Sequence, residues 1–252
     1  MKPKNRLLWI SVAAIALGCS LGPIARADEN PVFARANQNF SEGRFQEAEA
    51  GYQELVDSGQ WSANLFYNLG NARFRLGDFG QAILNYERAL ALDPHHPEAA
   101  ANLALARDEA HALELRTEGL DRYLAAGTST QYSIVAASAF WLALFGAARL
   151  FFAPRRSVAL LSLIVLSTVV LAGAVFALYS METGPKGSGL AIVTGKNIEA
   201  RLATADSAKS VLALPPGSEI GVLSQRGDWL YAVLPNDLRG WIPANSAQRV
   251  RM

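Results

Sequence analysis

One cysteine in 252 residues, three histidines and, between residues 28 and 128, no lysine at all set the first limits on this chain. The cysteine, Cys19, lies inside an N-terminal apolar run. A chain cut after that run has no thiol for a disulfide, a thiolate nucleophile or a Cys-ligated metal. His95, His96 and His111 have no Asp or Glu arranged around them at ligand spacing, so neither a metal nor another cofactor is expected. No serine or threonine sits in a nucleophile elbow and no glycine-rich loop follows a strand, which leaves no candidate catalytic residue and argues against an enzyme. Excess positive charge is also missing. The formal net charge of +1 hides opposite blocks: residues 28–128 carry 16 Asp and Glu against 8 Arg, a net of −8, while the first 27 residues carry four cations and no acid. That distribution offers no basic surface to nucleic acid. It suits a basic or neutral protein partner instead.

Apolar residues are present in runs rather than spread evenly, so one compact soluble core is not expected. The first run has the form of a secretory signal peptide over residues 1–27: Lys2, Lys4 and Arg6, an apolar stretch from Leu7 to Leu17, Pro23, then Ala25-Arg26-Ala27 before Asp28. Cleavage after Ala27 is favoured over lipidation at Cys19, because Ala16 stands where a lipobox wants leucine; a retained signal anchor is the other alternative.

From residue 29 the chain repeats itself at a spacing of 34. Phe33 recurs as Tyr67, Phe40 as Phe74, Gly43 as Gly77, Phe45 as Phe79, Ala48 as Ala82 and Tyr52 as Tyr86. This predicts two helical hairpins, 29–62 and 63–96, and a capping helix over 97–126, the whole forming an all-α unit over 28–128. Two further apolar segments, 132–152 and 157–179, are each long enough to cross a hydrocarbon core of ~30 Å. Arg149, Arg155 and Arg156 cluster at the connection 153–156, which the positive-inside rule places in the cytoplasm, with both flanking regions outside. Ala139, Ala143 and Ala147 form a small-residue stripe expected to meet Gly173 and Ala177. After a linker at 180–189, residues 190–252 change to a period of two, with short apolar runs broken by Pro215-Pro216-Gly217, Arg226-Gly227-Asp228 and Pro235-Asn236-Asp237, and predict a small all-β domain.

Asn68-Leu69-Gly70-Asn71, Gly77-Asp78-Phe79, Ala82, Tyr86, Ala89-Leu90 and Asp93-Pro94 resemble the tetratricopeptide repeat. The resemblance implies a solenoid whose first helices line a concave, partner-binding groove, with Phe33, Asn37, Phe40, Tyr67, Asn71, Phe74 and Arg75 on that face. Phe40 and Phe74 fit a core role equally well. Relatives that clamp a C-terminal carboxylate use lysine beside asparagine, but Phe33 and Glu98 stand at the matching positions here, which disfavours such a clamp.

Asn197, Arg201, Pro216-Gly217-Ser218, Gly227-Asp228-Trp229 and Gly240-Trp241-Ile242-Pro243 resemble a bacterial SH3 domain and imply an SH3-like barrel. Leu202-Ala203-Thr204-Ala205 departs from that pattern. Trp229 and Trp241 are either its binding surface or its core. The order of the parts resembles the BatE-type family of the aerotolerance operon. That resemblance implies a multidomain, non-catalytic scaffold on the periplasmic side of the inner membrane, two-pass, with von Willebrand factor A membrane proteins as partners. The alternative is a wall-sensing or wall-tethering protein that binds peptidoglycan through the SH3-like domain.

Overall fold

The computed structural model describes residues 30–116, 119, 123–124, 127–152, 157–184 and 186–251. The signal peptide expected over residues 1–27 (with Cys19), Asp28 and the 153–156 connection lie outside the described residues.

Four helices form the two hairpins: α1 (Pro31–Ser41), α2 (Phe45–Asp57), α3 (Ala63–Arg75) and α4 (Phe79–Leu92). Their ends follow from local chemistry. Asn30 caps α1, accepting from Val32 N at 2.9 Å, with Pro31 in the first turn where no amide partner is needed. Ser62 caps α3 by accepting from Leu65 N at 3.1 Å. Gly43 and Gly77, 34 residues apart, both turn the chain at φ +77°. That left-handed conformation is open to glycine and strained for a side chain. Asp93 is extended before Pro94, and α4 stops there. Where α3 meets α4, Phe66 packs with Ala89; Ala82, Ile83, Leu84 and Tyr86 of α4 join a core with α5, and Leu65, Leu69 and Ala72 of α3 join that of the first hairpin. Gly70 permits this approach: a Cβ there would lie 2.7 Å from the Tyr86 ring.

The capping helix is shorter than expected. α5 (Pro97–Ala110) ends where His111 adopts a left-handed conformation at φ +50°, and residues 112–116 run on without helix. This segment lies against the C-terminal sheet. Leu113 accepts from Glu219 N at 2.8 Å, and Leu113 N donates to Ser218 Oγ at 3.1 Å.

The two apolar segments are helices α6 (Ser129–Phe152) and α7 (Val158–Thr183), of 24 and 26 residues, roughly 36 and 39 Å long. Both are long and apolar enough to cross a membrane. They pair along a seam of Ala136, Ala139, Ala143, Gly146 and Leu150 on α6 with Ile164, Ser167, Leu171, Ala174 and Leu178 on α7. The alternating steps of three and four are a heptad pattern, which suits a left-handed pair of helices. This corrects the expected stripe in part. Ala139, Ala143 and Ala177 are covered, but Ala147 and Gly173 face outward, and Gly146 makes the close approach instead.

The C-terminal region is a seven-stranded antiparallel sheet: β1 (Leu190–Val193), β2 (Ile198–Arg201), β3 (Ser210–Leu214), β4 (Glu219–Arg226), β5 (Trp229–Val233), β6 (Arg239–Pro243) and β7 (Ala247–Arg249). The order is β3-β2-β6-β5-β4-β1-β7, and β3 and β7 do not close on each other. The sheet is open, not the closed barrel expected. Gly227 and Asp228 make the two-residue turn between β4 and β5, with Gly227 at φ +57° as such hairpins require.

The repeats and the sheet are not independent bodies on a linker. One apolar core joins Ile83, Leu84 and Tyr86 of α4, Leu103 and Ala106 of α5, Leu115, Leu190 and Ile192 of β1, and Val250.

Candidate functional site

Helices α1, α3 and α5 lie side by side and form the face on which a partner would be expected. Their polar residues are ordered by a network that repeats with the sequence. Asn37 Oδ1 accepts from the Tyr52 hydroxyl at 2.6 Å and from Asn68 Nδ2 at 3.1 Å. In the next unit Asn71 Oδ1 accepts from the Tyr86 hydroxyl at 2.8 Å and from Asn102 Nδ2 at 2.8 Å. Every member has its counterpart 34 residues on. Each tyrosine stands on a second helix and reaches between two first helices, so the bonds fix the spacing of α1, α3 and α5. Burial pushes the Tyr52 hydroxyl up to about 12, and the Tyr86 hydroxyl is raised for the same reason.

These bonds use the asparagine carbonyls and leave the amides of Asn37 and Asn71 with no acceptor among the described residues. An extended peptide backbone offers such amides carbonyl acceptors. Two hollows flank the network. One, of about 280 Å³, is lined by Phe40, Asn71, Phe74, Arg75, Tyr86 and Leu105, among others. The second, of about 510 Å³, includes Tyr67, Asn68, Asp93, His96 and Glu98. Residues 63–96 match the tetratricopeptide repeat. Among the curated proteins none matches the chain. The repeat points to a role in protein–protein interaction, and the match indicates no enzyme family.

The predicted groove residues fall in different places on the repeat face. Asn71, Phe74 and Arg75 share the first hollow, and Tyr67 stands in the second with its ring 4.9 Å from His96. Arg75 is exposed, with its guanidinium 4.7 Å over the Phe45 ring. Phe40 and Phe74 are half-buried and edge against Phe45 and Phe79, so each is both wall and core. Phe33 is 5% exposed and packs on Tyr52, which makes it mainly a core residue of the first hairpin with an edge at the second hollow. Asn37 lines neither hollow and acts through the network. Trp229 and Trp241 are half-buried on the outer face of the sheet, opposite the inward Leu230, Ala232 and Ile242. Trp241 pairs across strands with Tyr231, ring centroids 4.9 Å apart.

Sequence reasoning missed a cluster of charges between the repeats and the sheet. Glu219 of β4 is 1% exposed, yet it accepts from Arg107 of α5, from Lys186 Nζ at 2.9 Å and from Leu115 N at 2.9 Å. Arg107 also holds Glu87 of α4 at 2.5 Å and Glu114 at 3.3 Å. Burial raises the Glu87 carboxyl above its ordinary value, opposed by Arg107 and reinforced by Glu219. A buried carboxylate is tolerable with several such partners and very costly without them. The only trace in the sequence was an acid inside an apolar strand, Ser218-Glu219-Ile220.

Proposed function

We propose that the protein is a non-catalytic, membrane-anchored scaffold of the bacterial cell envelope. It holds a peptide-binding repeat face on the outer side of the cytoplasmic membrane. The observation that carries this is the row formed by Asn37, Asn71 and Asn102, locked by Tyr52 and Tyr86 beside the two hollows. A face ordered before binding loses less entropy when a partner docks. Anchoring is supported by α6 and α7, whose outer faces are apolar, and by the cluster of Arg149 in the last turn of α6 with Arg155 and Arg156 just after it. The likeness in architecture to BatE-type proteins suggests a membrane-anchored von Willebrand factor A protein as partner. The acidic repeat region suits a basic or neutral segment of it.

Asn71 is a poor probe of binding because its loss also breaks the network. Arg75 and Leu105 are exposed at the first hollow, and replacing both with Ala should weaken capture of the partner from solubilised membranes by about tenfold, with amide exchange of α3 unchanged. Normal capture by that variant would remove the groove from the proposal. Reporter enzymes active only outside the cytoplasm should work after Thr128 and after Met252, while activity after Arg155 would reverse the orientation.

A second reading has one observation in its favour. Trp229, Tyr231 and Trp241 lie on one outward face of the sheet, and such an aromatic surface can stack on a sugar of peptidoglycan. Co-sedimentation with purified sacculi that is lost in Trp241→Ala would favour it.

A further inference from the structure

A crevice of about 630 Å³ opens where the repeats meet the ends of the apolar helices. Ser129, the first residue of α6, and Leu178 and Met181, near the end of α7, form one side. With the two helices in a bilayer, this opening stands at the level of the lipid headgroups. Trp61, Phe66 and Leu92 supply an apolar wall from the repeats. Trp61 is 49% and Leu92 52% exposed, although both belong to a well-packed unit. Tryptophan concentrates at this depth because its ring is apolar and its N–H polar.

The crevice also holds a cation without a counter-ion. Arg88 of α4 lines it and sits 5.9 Å from the centroid of the Phe66 ring. Its Nη2 donates to the Arg249 carbonyl at 3.1 Å, its Nε is buried with no acceptor, and no carboxylate pairs with it among the described residues. Burial, with Arg73 nearby, holds its pKa down at about 10, so it stays charged at neutral pH. The acid in the lining, Glu182, is already held by Arg251 at 2.5 Å. A phosphate is a strong partner for a guanidinium that lines the crevice with no carboxylate on it.

We infer that this crevice binds an anionic phospholipid of the leaflet from which α7 emerges, its phosphate accepting from Arg88 and its acyl chain lying along Trp61, Leu92 and Leu178. The inference rests on the membrane anchoring proposed above. A lipid bound there would fasten the repeat face at a fixed height and tilt over the bilayer.

The test is native mass spectrometry of the full chain with equal amounts of phosphatidylglycerol and phosphatidylethanolamine. The wild type should retain phosphatidylglycerol preferentially. Arg88→Gln should cut that preference about tenfold, and Arg88→Lys should restore part of it. Leu92→Asn, at an exposed position, should weaken retention of both lipids and serves if Arg88→Gln does not fold. Equal retention of the two lipids by the wild type, or undiminished preference in Arg88→Gln, overturns the site. Alkaline carbonate extraction of membranes separates the two failures. A chain that stays in the membrane without lipid preference lacks only this site, and a chain that is extracted loses both the anchor and the site.

Discussion

The α3/α4 hairpin and the α6/α7 hairpin are built alike and finished differently. In each, a glycine lies where the helices touch: Gly70 beneath the Tyr86 ring and Gly146 against Ile164. In α3/α4 most large apolar residues are buried in protein, between the helices or against α5 and the sheet, and only Asn64, Arg75, Ala91 and Leu92 are exposed. In α6/α7 they continue all round, with Phe140, Trp141, Phe145, Leu166 and Val169 all exposed. A helix apolar on every side needs either a protein core around it or lipid. The cross-links differ too. Tyrosine hydroxyls and asparagine amides tie the repeat helices together, whereas the Thr168 hydroxyl of α7 bonds back to Ile164 O of its own helix at 2.9 Å. The first pair is held by hydrogen bonds and apolar burial from water. The second has close contact of small residues, the kind of packing expected if lipid surrounds it as proposed.

The sharpest break in this comparison should come from Ala82→Asp. Ala82 is fully buried in the apolar core shared with the sheet, where a carboxylate would lose its water. A buried unpaired charge costs several kcal/mol, about 3–5, enough to open a marginally stable unit. Amide exchange of the full chain in detergent should lose protection through α3, α4 and β1 while α6 and α7 stay protected. Loss of protection in all of them would mean that the α6/α7 pair depends on the repeats.

A smaller and more discriminating effect is expected from adding one methyl group to each pair. At Gly70 the new Cβ meets a rigid ring pinned by two hydrogen-bonded helices, and overpacking of this kind costs about 1–3 kcal/mol. At Gly146 it meets Ile164 Cγ1 at 2.8 Å, part of a flexible side chain that can turn away. Gly70→Ala should therefore speed exchange in α3 more than Gly146→Ala does in α6. Equal effects would show that the two seams are equally rigid.

The repeated hairpins were legible because their signals are local: glycines at φ +77°, helix-ending Pro94 and aromatic residues at fixed offsets. The expected groove could be read from the sequence only as a face. That Asn37 and Asn71 would be tied to Tyr52 and Tyr86 depends on side-chain reach across helices, although the shared spacing of 34 was a usable signal. The end of α5 at His111 was hidden because no glycine or proline marks it. Its cause is tertiary: Leu113 and Leu115 satisfy their backbones against Ser218 and Glu219, more than a hundred residues away. The open sheet was misjudged because β2 and β7, of four and three residues, are too short to show a period, and they decide the strand order. The seam of α6 and α7 was misplaced by counting small residues at a step of four, where the pairing follows alternating steps of three and four.

The smallest expected effect concerns the tyrosine–asparagine hydrogen bonds of the repeat helices. The Tyr52 hydroxyl is pushed up to about 12 from an ordinary value of 10.0 by burial, and it donates to Asn37 at 2.6 Å. A group that ionises later in the folded state than in the unfolded one contributes stability that is complete below pH 10 and is lost as pH rises from there through about 12. Wild-type repeats should therefore weaken over that interval as the unfolded chain gains tyrosinate. Tyr52→Phe removes one hydrogen bond, a loss of about 0.5–1.5 kcal/mol at neutral pH, and also removes one ionisation. Its stability should start lower and fall less steeply, so that the gap to wild type narrows above pH 10. Denaturant melts at a series of alkaline pH values, read through tyrosine and tryptophan fluorescence, would measure both quantities. A gap that stays constant would mean that Tyr52 ionises equally easily folded and unfolded, and that the network is open to water.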